Sequence, residues 1–578
     1  MKNLFKIISI FAISILFSAT SFSTPINQFI NSVSPPMNAN SVVKSSNIVI
    51  TFDQVMNGST MTAANVKVFG YQTGLMTISL DFNSVANTLT INPMNEFKNG
   101  EKISITLTSG IKTVANLSIS PFVFSFRSRT LGGTGNFTKT SDIPTIEFAY
   151  ILSGDLDNDS DIDLLIDDKI YKNNGNALFT YYSSLNFGGR ATMADFDNDG
   201  DLDILVRDNN DIFFMKNNGN GDFTQTNSFT GGIGSFGDLN GDGFLDVTYF
   251  LTNRHIYTVL NNNGIFTPDS TVYLFSSCYN NSANHIDYRP MIDDMDNDGD
   301  LDMVGINGFG HGNSIEGYKL CRTFFLLLNN GSGLFTPNTI FTKQSGGPAY
   351  VMFLDDSKSF DNNNDGIVDV NSPEANLRNN GNGVFLDQGG LFWFFNSSEA
   401  DYNGDGYLDL MGLISQSPLI LYLNDGSGIF NSVLANSSQF YESSASGDFD
   451  NDGDIDLAAM EAYTYKVAIL LNGDSPLPVE LSSFTSSINL NSVKLKWTTS
   501  QEQNNSGFEI QRADNSNEGQ EAWKKVDFIN GSGNSNTEKN YSYEDKNLAS
   551  GKYKYRLKQI DFNGNFEYHE LSNEVVIG

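Results

Sequence analysis

The chain has 578 residues, with 67 Asp and Glu against 34 Lys and Arg, for a formal charge of −33. That length predicts several domains, and that charge excludes nucleic acid and anionic membrane surfaces as expected partners, because both need clustered Lys and Arg. Glycine is abundant (52), proline sparse (14), and there are 45 Phe and 23 Tyr, a mix of short strands and turns rather than long helices or disorder.

Residues 1–23 read as a secretory signal. Lys2 and Lys6 precede the mostly apolar run Ile7 to Phe17, and small residues follow with a cleavage point after Ser23. No later stretch reaches about 18 apolar residues, so no transmembrane span is predicted. Export places the two cysteines in an oxidising compartment, where pairing is their commonest use.

Residues 33–130 alternate. Ile48, Ile50 and Phe52 fall on one face of one strand, and Ile103, Ile105 and Leu107 on one face of another. This predicts a β-sandwich. The segment, opening VSPPMNANSVVKSSNIVITFDQVM, resembles the bacterial Ig-like domains of surface-layer and adhesin-like proteins. The resemblance implies a spacer role.

The middle of the chain is organised by a nine-residue repeat that occurs seven times: 155–163, 195–203, 238–246, 294–302, 361–369, 401–409 and 448–456. Positions 1, 3, 5 and 9 are always Asp or Asn, and position 6 is Gly except for Ser160. The windows hold 29 of the 67 acidic residues, so the charge is concentrated rather than spread as a solvating coat. Packed carboxylates repel one another unless a cation sits among them. Positions 1, 3 and 5 of a tight turn aim at one centre, a glycine at 6 permits positive φ, the carbonyl of 7 can face inward, and the Asp at 9 closes the shell. An all-oxygen donor set favours Ca²⁺, with Mg²⁺ second.

The candidate ligands follow loop by loop. The first loop offers Asp155, Asp157, Asp159 and Asp163 with the carbonyl of Asp161. The second offers Asp195, Asp197, Asp199 and Asp203 with Asp201. The third offers Asp238, Asn240, Asp242 and Asp246 with Phe244. The fourth offers Asp294, Asp296, Asp298 and Asp302 with Asp300. The fifth offers Asp361, Asn363, Asp365 and Asp369 with Ile367. The sixth offers Asp401, Asn403, Asp405 and Asp409 with Tyr407, and the seventh Asp448, Asp450, Asp452 and Asp456 with Asp454. An EF-hand is excluded, because position 12 is never acidic.

Apolar residues at positions 8 and 10 give a period of two, so a strand leaves each loop with one face buried. Most loops are followed by a second signature, strand then Asn/Asp/Gly turn then strand, as in IYKNNGNALFT (170–180) and LLLNNGSGLFT (326–336). The seventh unit ends at ILLNGDSP (469–476). Its missing half appears before the first loop as LGGTGNFT (131–138), as a closed ring requires.

These loops and hairpins resemble the FG-GAP, or VCBS, repeats of the integrin-alpha type. Over residues 131–475 the resemblance implies a seven-bladed β-propeller with Ca²⁺ on the loop between the first and second strands of each blade, up to seven ions in all. Two loops depart from the pattern. Ser160 replaces Gly in the first. The fifth has Asn at positions 2, 3 and 4 and lacks the preceding strand pattern, which leaves its occupancy open.

Successive loops are 40, 43, 56, 67, 40 and 47 residues apart, and the two long intervals flank the fourth loop. Cys278 to His285 and Asn307 to Leu320 read as insertions on the face opposite the ion loops. A Cys278–Cys321 disulfide is expected to tie them, with a zinc site at His285 and His311 as the alternative use of this window. Tyr279, Tyr288, Phe309, Tyr318, Trp393, Phe394 and Phe395 are candidate contacts for a protein or glycan partner there.

Residues 479–578 alternate again at Val493, Leu495 and Trp497 and at Tyr553, Tyr555 and Leu557. LPVEL and YRLKQID resemble the fibronectin type III-like domain that precedes sorting tails in exported bacterial proteins. The fold class expected is therefore all-β, a propeller flanked by two sandwiches. No HExxH, GxSxG, CxxC or phosphate-loop motif is present. The expected function is a secreted or surface adhesion-type binding protein. A lectin-like propeller and a polysaccharide lyase or hydrolase are the alternatives.

Overall fold

The computed structural model describes residues 29–578 except 146–148, 188, 209–210, 231–233, 252–254, 275–284, 288–289, 312–318, 347–356, 373–374, 390–394, 414–417, 437–439, 475–479, 515–522, 536–537, 562–565 and 572. The signal expected over 1–23 and Cys278 lie outside the described residues. So do Tyr279, Tyr288, Tyr318, Trp393, Phe394 and the side chains of Cys321, His285, His311, Phe309 and Phe395; the expected disulfide, zinc alternative and aromatic contacts all fall there. Among the described residues the chain is all-β, its one helical element being the 3-10 turn Gly58–Thr60.

The N-terminal sandwich has two four-stranded sheets. One orders Ile30–Ser34, Ile48–Phe52, Thr88–Pro93 and Ile78–Asn83; the other Gly74–Leu75, Val66–Gly70, Lys102–Leu107 and Phe122–Arg127. The alternation read from sequence faces inward: Ile48, Ile50, Ile103, Ile105 and Leu107 are fully buried in a single core.

Seven antiparallel sheets follow among the described residues, each built around one Asp-rich loop between its first two strands. The first is Ile151–Gly154, Asp163–Ile166, Lys169–Lys172 and Thr180–Ser184. In the seventh, Tyr441–Gly447, Asp456–Glu461 and Lys466–Asp474 are joined by Gly133–Pro144, a strand from before the first sheet. Among the described residues no sheet closes on itself.

The sheets stack face to face, and each packing core is shared by two consecutive sheets. Leu156 and Leu165 of the first pack with Leu202 and Ile204 of the second, and Tyr402 and Met411 of the sixth with Leu457 and Ala468 of the seventh. Ile162 and Leu164 of the first pack with Phe449 and Ile469 of the seventh. Packing on both faces explains a departure from the expected pattern. The residues at positions 8 and 10 are buried, but the Asp at 9 between them is buried as deeply, with Asp163, Asp203, Asp246, Asp369 and Asp409 at 0% exposure.

The fourth sheet differs from the sequence reading. Residues 307–311 and 319–320, expected as connection, are strand, because Asp302–His311 and Lys319–Leu328 each run ten residues; 312–318 lie outside the described residues. The Gly- and Asn-rich sequence there lacks the apolar alternation that would have marked it. The fifth sheet does possess a first strand, Lys358–Phe360, too short at three residues to leave a periodic signal.

After the array, Ser492–Asp514 runs 23 residues and serves two layers. Its first half pairs with Glu480–Asn489 and Lys539–Asp545, its second with Trp523–Ser535 and Gly551–Asp561. Trp497 stacks on Tyr541 and meets Phe508 edge-on in the core between them.

The N-terminal sandwich is not a detached spacer. It sits on the loop side of the array and bonds to all seven loops. Lys98 pairs with Asp155 (3.3 Å) in the first, and the Leu75 amide donates to Asp195 Oδ2 (3.0 Å) in the second. Thr106 Oγ1 donates to Asp238 Oδ2 (2.9 Å), and the Val123 amide to the Gly299 carbonyl (2.7 Å). Asn40 Nδ2 donates to the Asp361 carbonyl (3.0 Å), Thr130 Oγ1 to that of Asp401 (3.1 Å), and Asn99 Nδ2 to Asp448 Oδ2 (2.6 Å).

Adjacent sheets are also linked by one asparagine each. Asn217 Nδ2 donates to the Leu202 carbonyl of its own loop and to the Leu156 carbonyl of the preceding loop, both at 2.9 Å. Asn261, Asn329, Asn379, Asn424 and Asn472 repeat the link, and Asn173 carries it from the first sheet to Phe449 of the seventh; all seven cross-sheet bonds span 2.6–2.9 Å. Asn261→Leu should therefore leave two buried carbonyls without their donor. We expect a loss of about 1–3 kcal/mol in denaturant unfolding, whereas Asn176→Leu on an exposed turn should be neutral.

Candidate metal centres

The loop backbone explains its own sequence. Position 6 has positive φ in every repeat, from 82° at Ser160 to 103° at Gly453. Ser160 thus holds the same bend as the glycines, and the first loop keeps its shape. Position 4 is also left-handed, at 59–64° for Asn158, Asn198, Asn297, Asn364 and Asn451 and at 65° and 71° for Gly241 and Gly404. Asn and Gly are the residues that tolerate this conformation. The alternation of only Asn and Gly at position 4 is a sequence signal that the ligand reading passed over.

Within each turn, the carboxylates organise the amides. Position 1 accepts the amide of position 6, as in Asp195 with Gly200 (2.9 Å) and Asp294 with Gly299 (2.9 Å). Position 5 accepts that of position 7, as in Asp159 with Asp161 (2.9 Å) and Asp405 with Tyr407 (2.9 Å). Ligand oxygens converge in four loops. One oxygen each of Asp155, Asp157 and Asp163 lies within 4.8 Å of the others, and so do Asp195, Asp197 and Asp199, Asp294, Asp296 and Asp302, and Asp448, Asp450 and Asp456. In the third, fifth and sixth loops position 3 is Asn240, Asn363 or Asn403, a neutral oxygen donor, beside Asp238, Asp242, Asp361, Asp365, Asp401 and Asp405.

Several buried oxygens in these loops accept no hydrogen bond: Oδ1 of Asp155, Asp157, Asp195, Asp197, Asp296, Asp300 and Asp448. A buried acceptor left without a donor carries its full desolvation cost. A cation among the oxygens removes that cost, so the donor set fits a hard divalent ion. Positions 1, 3 and 5, with the backbone at 7, would hold it.

The Asp at position 9, expected to close the ligand shell, has a second role. Its Oδ1 accepts the amide of the linking asparagine at 2.7–2.8 Å in all seven repeats. Its Oδ2 accepts the amide of position 2, as in Asp203 with Phe196 (3.1 Å) and Asp409 with Tyr402 (3.1 Å). It ties loop to hairpin, while Asp163, Asp302 and Asp456 also stand among the converging oxygens.

Two lysines add charge at the first two loops. Lys172 pairs with Asp157 (2.9 Å), and Lys216 with Asp197 and, at 2.9 Å, Asp199. Both immediately precede a linking asparagine, where the other repeats carry Leu or Arg378.

Burial pushes the carboxylic acids upward. Burial and nearby carboxylates raise Asp300 to about 8, and burial raises Asp203, Asp302 and Asp409 to about 8 and Asp163, Asp238 and Asp369 to about 7. Asp195, Asp401 and Asp448 rise to about 6 for the same reason.

Comparison with known proteins agrees with this geometry in two places. A family model described as a bacterial Ig-like domain matches residues 24–128. One described as an FG-GAP-like repeat matches 195–249 and 401–459, the second to third and sixth to seventh loops. No curated protein matches. Among solved structures, the chain is similar to an Agrocybe aegerita lectin recognising non-reducing terminal N-acetylglucosamine, at 18% identity over 68% of this chain and 94% of that one, with a TM-score of 0.34. It is also similar to the N-terminal part of the bacterial S-layer protein SbsC, at 13% identity over 34% and 42% of the two chains, with a TM-score of 0.15. The extracellular domain of BT4673 from B. thetaiotaomicron aligns at 9% identity over 94% and 91%, with a TM-score of 0.17.

The raised carboxyls would make the binding of a cation here pH-dependent. An unfolded Asp releases its proton at about 3.9, whereas burial in the folded loops raises Asp195 to about 6 and Asp203 to about 8. The folded state then binds more protons, so ion-free stability falls as pH rises through this window. An entering cation displaces those protons. The increase in melting temperature given by saturating calcium should accordingly be larger at pH 8 than at pH 5.5 in calorimetry, and an increment independent of pH would contradict this.

Proposed function

We propose that the protein is an exported, calcium-stabilised binding protein without catalytic activity, and that its seven sheets are the blades of a closed β-propeller. The observation that carries this reading is the cyclic chain of asparagine links, which returns from the first sheet to the seventh. The shared core at that junction and the borrowed strand Gly133–Pro144 support it. The family resemblance of the loops and the orphaned carboxylate oxygens support Ca²⁺ as the ion, with up to seven per chain.

The ion loops are read as serving structure rather than partner contact, because each of the seven bonds to the sandwich. A protein or glycan partner is assigned to the opposite end, where the long strands of the fourth sheet extend from Ile306 to His311 and from Lys319 to Thr323. The non-catalytic reading is supported by the central cavity of about 430 Å³, whose acids are all engaged. Asp293 pairs with Lys102 (2.5 Å), and Glu399 with Arg127 (2.9 Å) and Lys358 (3.0 Å). Burial alone would raise Glu399, but the two cations hold it at about 2. Glu101 accepts the amides of Gln72 (2.9 Å) and Lys98 (3.0 Å). Among the described residues, no helix is long and apolar enough to cross a membrane.

Chelation should lower the melting temperature by about 10 °C or more, with recovery on adding calcium. Magnesium at the same concentration should restore less. Binding to immobilised glycans and to host or bacterial surface proteins, compared between the intact chain and one shortened by residues 307–322, reads out the partner surface. Equal binding by both would place the partner elsewhere.

A further inference from the structure

The sandwich and the ion loops share the same carboxylates. Asp195 accepts the Leu75 amide on Oδ2, while its Oδ1 is buried with no donor. Asp448 accepts Asn99 Nδ2 on Oδ2, and its Oδ1 is likewise buried with no donor. Both side chains are at least nine-tenths buried, Asp195 at 1% exposure and Asp448 at 6%. Thr106 Oγ1 makes the corresponding bond to Asp238, itself 2% exposed. The same domain therefore fixes one oxygen of the position-1 carboxylates Asp195, Asp238 and Asp448, and at Asp195 and Asp448 it leaves the other without a donor.

From this geometry we infer that docking of the N-terminal sandwich and occupation of the loops by calcium are thermodynamically linked, so that each strengthens the other. The inference rests on the calcium reading above. A donor on Oδ2 fixes the carboxylate rotamer that presents Oδ1 to the ion, so the docked domain preorganises a ligand. An ion on Oδ1 holds the carboxylate where the sandwich needs its acceptor. Without ions the clustered charges repel one another, the turns lose their fixed geometry, and the domain loses acceptors in several loops at once. Linkage is reciprocal: whatever factor docking adds to calcium affinity, calcium adds to docking. The sandwich covers the position-1 end of the loops, while the position-5 carboxylates Asp159, Asp199, Asp242, Asp298, Asp365 and Asp405 stay exposed. The two buried pairs Lys102–Asp293 and Arg127–Glu399 lie at the centre of the same interface and do not involve the loops, which gives docking an ion-independent share.

The connection between the two bodies passes through exposed Arg129. Trypsin treatment of the intact chain in saturating calcium should leave this connection uncut. In excess EGTA we expect cleavage there to accelerate at least about 5-fold, giving two fragments that separate on gel filtration. The double variant Asn99→Leu with Thr106→Val should be cut faster in calcium and need at least about 5-fold more free calcium to reach half its melting-temperature gain. If chelation lowers the melting temperature but leaves the cleavage rate unchanged, the linkage is wrong and the calcium reading stands. If chelation changes neither, both are wrong. An unchanged calcium midpoint in the folded double variant also overturns the linkage.

Discussion

Carboxylates that are buried, close together and short of donors are the constraint around which this molecule is built. Each nine-residue loop buries its acids at positions 1 and 9 where a sheet meets its neighbour, and leaves the acid at position 5 nearer to solvent. Isolated buried charge of this kind is expensive, and it persists only where something of opposite sign or a set of donors answers it. The chain answers in three ways. Backbone amides of the turn bond to positions 1 and 5. A sheet-linking asparagine and the amide of position 2 take both oxygens of position 9. What is left over, at positions 1 and 3, is the share that a cation would take.

The repeat therefore divides its labour by position. Positions 4 and 6 provide the left-handed backbone, 8 and 10 the packing core, and 9 the fastening of loop to hairpin. The linking asparagine then carries that fastening across to the preceding loop. Since Asn173 bonds to Phe449, the series has no free end, and no sheet depends on a single neighbour. The N-terminal sandwich adds a second series of bonds over the same loops. A domain whose family resemblance implies a spacer is here part of the structure it precedes.

Much of this was legible in the residues. The count of seven loops, the strands leaving them, the strand borrowed from before the first loop and the sandwich cores at Ile48 to Phe52 and Val493 to Trp497 all followed from periodicity and repetition. The linking asparagines were visible as the recurring first Asn of KNNGN and LNNGS, but their distance from the preceding Asp varies between repeats, so spacing gave no hint of a partner. The role of position 9 was hidden for a related reason, because an acid beside a cation site reads as a ligand until its amide partners are seen. Docking of the sandwich was not legible at all. It depends on single residues such as Leu75, Thr106 and Asn99, scattered over one domain and matched to loops up to 349 residues away.

The most direct test of the whole account is a count of tightly bound calcium in the purified chain, by equilibrium dialysis at low free calcium. The account predicts several ions per chain, up to one for each loop, with the count falling when position-1 aspartates are replaced by alanine. A chain that folds with the same stability and retains no calcium, or a single ion indifferent to those replacements, would contradict it.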